Sequence, residues 1–138
     1  MGEVDLHFKP SVPVFDANVS LGRRNDKRVS VDTVAGTIDA MDMAGIQRAL
    51  VYSHHAVYYD PGEGNKTLFD MIEGQPRLVP QFTANPMDDF DAFTAGVQEY
   101  GIRSIRMAPT VSHYPFRDWA LKPWLDWMAA ERLPLWLP

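Results

Sequence analysis

Pro13-Val14-Phe15-Asp16-Ala17-Asn18-Val19-Ser20-Leu21-Gly22 is the stretch on which the fold turns. A short apolar run, Val12 to Ala17, stops at a polar mouth made of Asn18 and Ser20. That is the pattern of a first buried strand delivering side chains to a site at its C-terminal end. Residues two apart on a strand share a face, so Asn18 and Ser20 point the same way.

Outward from this strand, apolar stripes and short strands alternate. Ser30 reads as the N-cap of a helix over Val31 to Ala44, with Val31, Val34, Ile38 and Met41 on one stripe and Gly45 as its stop. Ile46 to Ser53 reads as a second strand, followed by a loop from His54 to Gly64. A second helix covers Asn65 to Glu73, and Gly74 and Pro76 end it. A third strand, Arg77 to Ala84, closes at Asn85-Pro86. The third helix starts near Asp88 or Asp89 and carries Phe90, Phe93, Val97 and Tyr100, with Gly101 after it. A fourth strand, Ile102 to Ala108, leads to the loop Pro109 to Arg117. The fourth helix begins around Leu121 with Pro123 in its first turn, and turns Trp124, Leu125 and Met128 toward the sheet. Leu133 to Leu137 is a fifth strand.

Strict alternation implies an α/β domain, a parallel sheet with right-handed crossovers. The joint Ala44-Gly45-Ile46-Gln47-Arg48 recurs as Tyr100-Gly101-Ile102-Arg103-Ser104, as a repeated βα unit gives. The same alternation suits a doubly wound, flavodoxin-like sheet; strand order separates the two, since a doubly wound sheet has its first strand inside.

The chain has 138 residues, 46% hydrophobic and 22% charged, which fits one domain over 1–138 with a real core. A net charge of −5 without a basic patch argues against nucleic acid. The cluster Arg23, Arg24, Lys27 and Arg28 reads as a solvated loop or an anion-gathering rim. Cysteine is absent, which removes disulfides, thiolate metal sites and a Cys nucleophile. No signal-peptide pattern opens the chain, and no apolar segment approaches the ~20 residues of a membrane span. A cytoplasmic home is expected. Gly62-Glu63-Gly64 lacks the spacing and the Lys of a phosphate cradle, and no Gly-x-Ser-x-Gly elbow occurs.

Asp16-Ala17-Asn18-Val19-Ser20 resembles the end of the first strand of the amidohydrolase superfamily, where Asp-Ala-His-x-His grips a metal ion with two histidines. Four further segments are similar in order. Asp39 to Val51 resembles that family's first helix and second strand, and Asn65 to Pro80 its second helix and third strand. Gly101 to Met107 resembles its fourth strand, and Leu133 to Leu137 its fifth. The branch nearest in appearance holds small-acid decarboxylases and lactone hydrolases. The resemblance implies a partial (β/α)8 TIM barrel, with about five parallel strands and four helices in consecutive order. It covers the N-terminal half of a fold of about 250 residues, either a fragment or a naturally short product. It implies hydrolase or decarboxylase descent and a small-molecule substrate. The family uses a divalent metal such as zinc. Here Asn18 and Ser20 replace both imidazoles with a weak carbonyl and a hydroxyl, so no metal or other cofactor is expected. Two open sheet edges would favour a homo-oligomer or a complementary barrel half, and a non-catalytic binding or assembly module is the alternative to an enzyme.

The candidate catalytic residues are His54, His55, Arg106 and His113. His54 and His55 follow the second strand directly, where one could act as general acid or base; the alternative is a loop histidine held by solvent or backbone. Arg106 faces as Ser104 does, into the barrel. A buried guanidinium there needs an anionic substrate or an internal carboxylate such as Asp16. Asp16 otherwise bonds loop backbone. Candidate substrate-binding residues are Asn18, Ser20, Asn85 and Tyr114; Asn85-Pro86 is equally an ordinary turn. Tyr52, Tyr58 and Tyr59 could wall a pocket or pack on helix ends. Trp119, Trp124, Trp127 and Trp136 read as core and helix-packing surface, with a stacking site as the alternative.

Overall fold

The structure, a computed structural model, describes residues 9–24, 28 and 31–138. Its first strand, β1 (Phe15–Leu21), runs past the expected end at Ala17 and includes Asn18 and Ser20. Then come α1 (Val34–Ala44), β2 (Arg48–Ser53), α2 (His54–Tyr58), α3 (Pro61–Met71), β3 (Leu78–Pro80) and β4 (Phe82–Ala84). The order ends with α4 (Phe90–Glu99), β5 (Ile105–Met107), α5 (Pro109–Ser112), α6 (Asp118–Ala130) and β6 (Leu135–Trp136).

All strand pairs are parallel, in two sheets of order β1-β2-β3 and β4-β5-β6. Only Gln81 separates β3 from β4. Gln81 N donates to Val51 O at 2.8 Å, and Phe82 N donates to Ser104 O at 3.3 Å. The expected third strand is therefore one extended segment that changes partner midway, from β2 to β5. β1 stands at an edge with β2 beside it, where a doubly wound sheet would set its first strand inside. The doubly wound alternative is corrected on this point. Among the described residues the strands do not close on themselves, since β1 and β6 each pair on one side alone.

Two apolar clusters explain this arrangement. Leu21, Ala49, Val51 and Leu78 meet Met41 of α1 and Leu68 of α3. Phe82, Ala84, Ile105 and Met107 meet Val97 of α4 and Leu121, Trp124 and Met128 of α6. Alternate strand residues thus bury against helices on one face, and Leu50, Tyr52, Val79, Gln81 and Arg106 take the other. That other face is curved, so that Asn18, Tyr52, Gln81 and Trp136, from four positions in the strand order, converge on the one guanidinium of Arg106.

The helix ends follow local chemistry, with some shifts from expectation. Thr33 caps α1 by accepting from Gly36 N at 3.1 Å; Ser30 lies outside the described residues. Asp60 caps α3 through Glu63 N at 2.8 Å, with Pro61 in the first turn, so this helix starts inside the expected loop. Asp89 caps α4 as its acidity suggests. Pro123 falls inside α6, because the helix begins at Asp118. Gly45 (φ 69°) and Gly101 (φ 63°) take the left-handed conformation that ends a helix. Ile46 N then returns to Met41 O at 2.8 Å and Ile102 N to Val97 O at 2.9 Å. These returning bonds delay β2 and β5 past their expected starts at Ile46 and Ile102. No helix among the described residues is long and apolar enough to cross a membrane.

Candidate functional site

Arg106 is set by its two neighbours. Ile105 and Met107 point into the helix-side core, both fully buried, so alternation sends the guanidinium to the opposite, curved face. It is nevertheless only 3% exposed. Its Nε donates to Gln81 Oε1 at 2.8 Å and its Nη2 to Asn18 Oδ1 at 2.8 Å. Gln81 Nε2 donates in turn to Ser104 Oγ at 2.7 Å, which fixes the orientation of the carboxamide. The Tyr52 ring lies on one side of the arrangement and Trp136 belongs to the neighbouring strand, in register with Arg106. The Cζ of Arg106 stands 3.6 Å from the centroid of each ring. Such contacts stabilise a cation by about 0.5–2 kcal/mol each.

Every partner of this cation among the described residues is neutral. The fork has five N–H donors, and the two bonds named leave the rest of its edge uncommitted. Among the described residues no carboxylate pairs with it. Burial pulls the Arg106 guanidinium down to about 10, with the Tyr52 phenol opposing that shift. It still carries its charge at neutral pH.

The expected alternative, an ion pair with Asp16, does not form. Asp16 Oδ1 accepts from Asn18 N at 3.0 Å, the backbone role also considered for it. The register of β1 shifts between Asp16 and Val19, and this bulge re-aims Asn18 at Arg106. Ser20 is half-buried, in register with Tyr52.

The other candidates have surroundings of their own. His54 opens α2 rather than a loop, and is buried with its ring stacked on Tyr58 at 4.3 Å. His55 diverges from it, to 3.5 Å from Glu63 Oε2 and toward Tyr59. With Arg23, Asp32 and Glu63 it lines a separate pocket of about 420 Å³. His113 ends α5 at φ 54° and is exposed. Tyr114 turns into the α6-side core, and burial pushes its phenol up to about 12. Asn85 Oδ1 accepts from Met87 N at 3.0 Å, closing a turn. No hydrogen bond or ring contact joins His55, His113, Tyr114 or Asn85 to Arg106 among the described residues.

Sequence reasoning missed Gln81, and gave Trp136 its observed role only as the alternative. Gln81 carried a signal, the bulkiest polar residue inside the largely apolar run Leu78 to Ala84. Trp136 takes the stacking alternative and roofs the cation; Trp119, read as core and helix-packing surface, is 79% exposed.

The residues at the end of β1 do not fit a metal ion. Asn18 offers a weak carbonyl oxygen, and that oxygen already accepts from a cation at 2.8 Å. A divalent ion there would meet a like charge at close range. Among the described residues no group of His, Asp or Glu is placed to hold one. No model of a known protein family matches this chain, and no curated protein matches it.

Proposed function

We propose that this chain is part of an amidohydrolase-like (β/α)8 barrel, a hydrolase or decarboxylase homologue, and that its curved face binds a small carboxylate at Arg106 without a metal. The observation that carries this reading is a guanidinium buried between two aromatic rings, whose partners among the described residues are all neutral. A buried charge of this kind is costly until an opposite charge meets it. Both faces of the guanidinium are covered, so a ligand must approach in its plane. A planar carboxylate matches that edge, and a low-dielectric surround strengthens the pair. Decarboxylation of a small acid begins by holding such a group, and hydrolysis of a lactone produces one. The barrel part of the reading is supported by consecutive parallel strands, helices on one face and the curl that joins Asn18 to Arg106. A cytoplasmic setting is part of the same proposal, supported by the absence of cysteine.

A second reading is a binding module without turnover. It is favoured by the composition of the site, in which neutral amides, a hydroxyl and two rings surround Arg106 and no general base touches it.

Isothermal titration with benzoate and glutarate, with methyl benzoate as the uncharged control, tests the shared claim. The acids should bind and the ester should not. Arg106→Gln should abolish binding, and Arg106→Lys should restore only part of it, since lysine lacks the fork. Equal binding of acid and ester would overturn the proposal. Release of carbon dioxide or ring opening from bound acids separates the enzyme from the module.

A further inference from the structure

The inward stripe of α3 is Gly64, Asn65 and Leu68. Leu68 joins the core around β2, and Gly64 lets the helix lie against the α2 backbone. Asn65 fits neither pattern. Asparagine is a poor helix former, because its side chain competes for main-chain bonds, and it is costly to bury without partners. Here it lies inside α3 and is 4% exposed. Both its partners belong to one residue of β4. Asn65 Nδ2 donates to Thr83 O at 2.8 Å, and Asn65 Oδ1 accepts from Thr83 N at 2.8 Å. A carboxamide sets a donor beside an acceptor, as the backbone of a neighbouring strand does. The segment Leu78 to Ala84 follows β2 as far as the bond from Gln81 N to Val51 O, and after Ser53 that chain turns into α2. Asn65 therefore stands in for β2 beyond the point where the segment changes partner.

The Arg106 site is built at that same point. Gln81 sits on it, with its Oε1 on Arg106 Nε at 2.8 Å, and Thr83 is in register with Arg106. What places Gln81 is whatever grips the chain on either side of it. Val51 O holds its own N–H, and Asn65 holds the main chain two residues on. We infer that Asn65 is a positioning residue for Arg106: by gripping Thr83 it sets where the Gln81 carboxamide meets the guanidinium. It acts in a relay, from α3 through the backbone of β4 to Gln81 and so to Arg106. Were Thr83 released, Gln81 would shift and Nε would lose its acceptor. The guanidinium could then turn in its own plane between Tyr52 and Trp136, and its donor edge would no longer point one way. Bidentate recognition of a carboxylate depends on that direction. The ligand in this inference rests on the proposed function; the relay from Asn65 to Arg106 rests on hydrogen bonds alone. A side chain that merely tied α3 to β4 would add stability and leave the Nε bond as it is.

The test follows the Arg106 Nε–H proton of the whole chain by nitrogen-15 NMR, with a benzoate titration beside it. Asn65→Leu is close in size and removes both bonds to Thr83. Asn65→Asp keeps the acceptor for Thr83 N and sets an oxygen against Thr83 O. Met41→Ala, in the core beside α1, lowers stability from outside this relay and is the control. Both Asn65 variants should quicken solvent exchange of the Nε–H proton at least about tenfold and weaken benzoate several-fold. Met41→Ala should leave both near their wild-type values. Slow Nε–H exchange in a folded Asn65 variant, or equal quickening in Met41→Ala, would overturn the inference. A wild-type chain that ignores benzoate counts against the proposed function instead, and the exchange measurement still decides this one. Should neither Asn65 variant fold, the wild-type chain decides. Its Asn65 Nδ2 and Arg106 Nε protons should be released by one opening, short of global unfolding, with one dependence on urea. Unequal dependences would overturn the inference.

Discussion

At Gln81 a change from carboxamide to carboxylate isolates what the uncompensated charge of Arg106 does. Gln81 accepts from Nε at 2.8 Å and brings no charge of its own. Gln81→Glu would place a carboxylate at that spot, and the pair would neutralise itself inside the face. Small-carboxylate affinity should fall by about tenfold or more, roughly 1.4 kcal/mol, with the fold retained. Titration of the variant with benzoate checks this, and undiminished affinity would mean that the ligand's charge is met elsewhere. Tyr114 gives a second prediction at this scale. Its phenol is pushed up to about 12 by burial, so the folded chain keeps a proton that the unfolded chain gives up near the ordinary value of about 10. Its contribution to stability is full below that ordinary value and is lost as pH rises through the folded one. Arg106 runs the other way. Its value is lowered to about 10, so its burial penalty is present at neutral pH and lifts above that point. Tyr114→Phe should therefore flatten the alkaline fall in stability, read from urea unfolding at neutral pH and at about pH 11. An unchanged slope would assign that fall to other groups. The direction Arg106 faces was legible in the sequence, because alternation with Ile105 and Met107 needs no more than a strand. Its partner was not, because a bulge between Asp16 and Val19 decides which side chain of β1 arrives.

One joint recurs at the element scale, and its third copy was hidden. After α1 and α4 a left-handed glycine turns the chain, and the next residue returns a bond to the helix. After α6 the same turn is made by Arg132, at φ 55°, and Leu133 N returns to Met128 O at 2.8 Å. A side chain in that conformation costs about 1 kcal/mol relative to glycine. Arg132→Gly should raise stability by about that amount, seen as a melting temperature several degrees higher, with the site unaffected. A lower melting temperature would show that the Arg132 side chain contributes more than its strain removes. The two glycine joints were readable from sequence because glycine announces the conformation; arginine announces nothing. α2 was missed for a related reason. Five residues, His54 to Tyr58, are too few to display a stripe. Ser53 held the one clue, its Oγ accepting from Ala56 N at 3.1 Å. Gly64 could not be foreseen at all: a Cβ there would fall on the Ala56 backbone, so α2 and α3 approach as closely as they do only because that position is bare.

Arg106 also ties the molecule together at the largest scale. β1 and β6 stand at opposite ends of the strand order, and neither pairs with the other among the described residues. Through one side chain they meet, because Asn18 of β1 accepts from the guanidinium that Trp136 of β6 covers. The strand order was readable from alternation, since each short crossover returns to the neighbouring position. The curl was not, since it rests on a contact between residues 88 positions apart. Removing the guanidinium has opposed effects on stability. It relieves the burial of an uncompensated charge, and it loses two ring contacts while leaving Asn18 and Gln81 each short of a donor. These terms are of similar size, so Arg106→Met should shift overall stability by less than about 2 kcal/mol. The local effect is not balanced in that way. Without the bridge, the backbone of β1 and β6 loses what draws the two edges inward, while the clusters around α1 and α3 and around α4 and α6 keep their packing. Amide hydrogen exchange should therefore quicken in Phe15–Leu21 and Leu135–Trp136 and stay slow in the strands between them. Exchange that quickens evenly across every strand would mean that Arg106 supports the core as a whole, and that the curl is held by the helices rather than by the bridge.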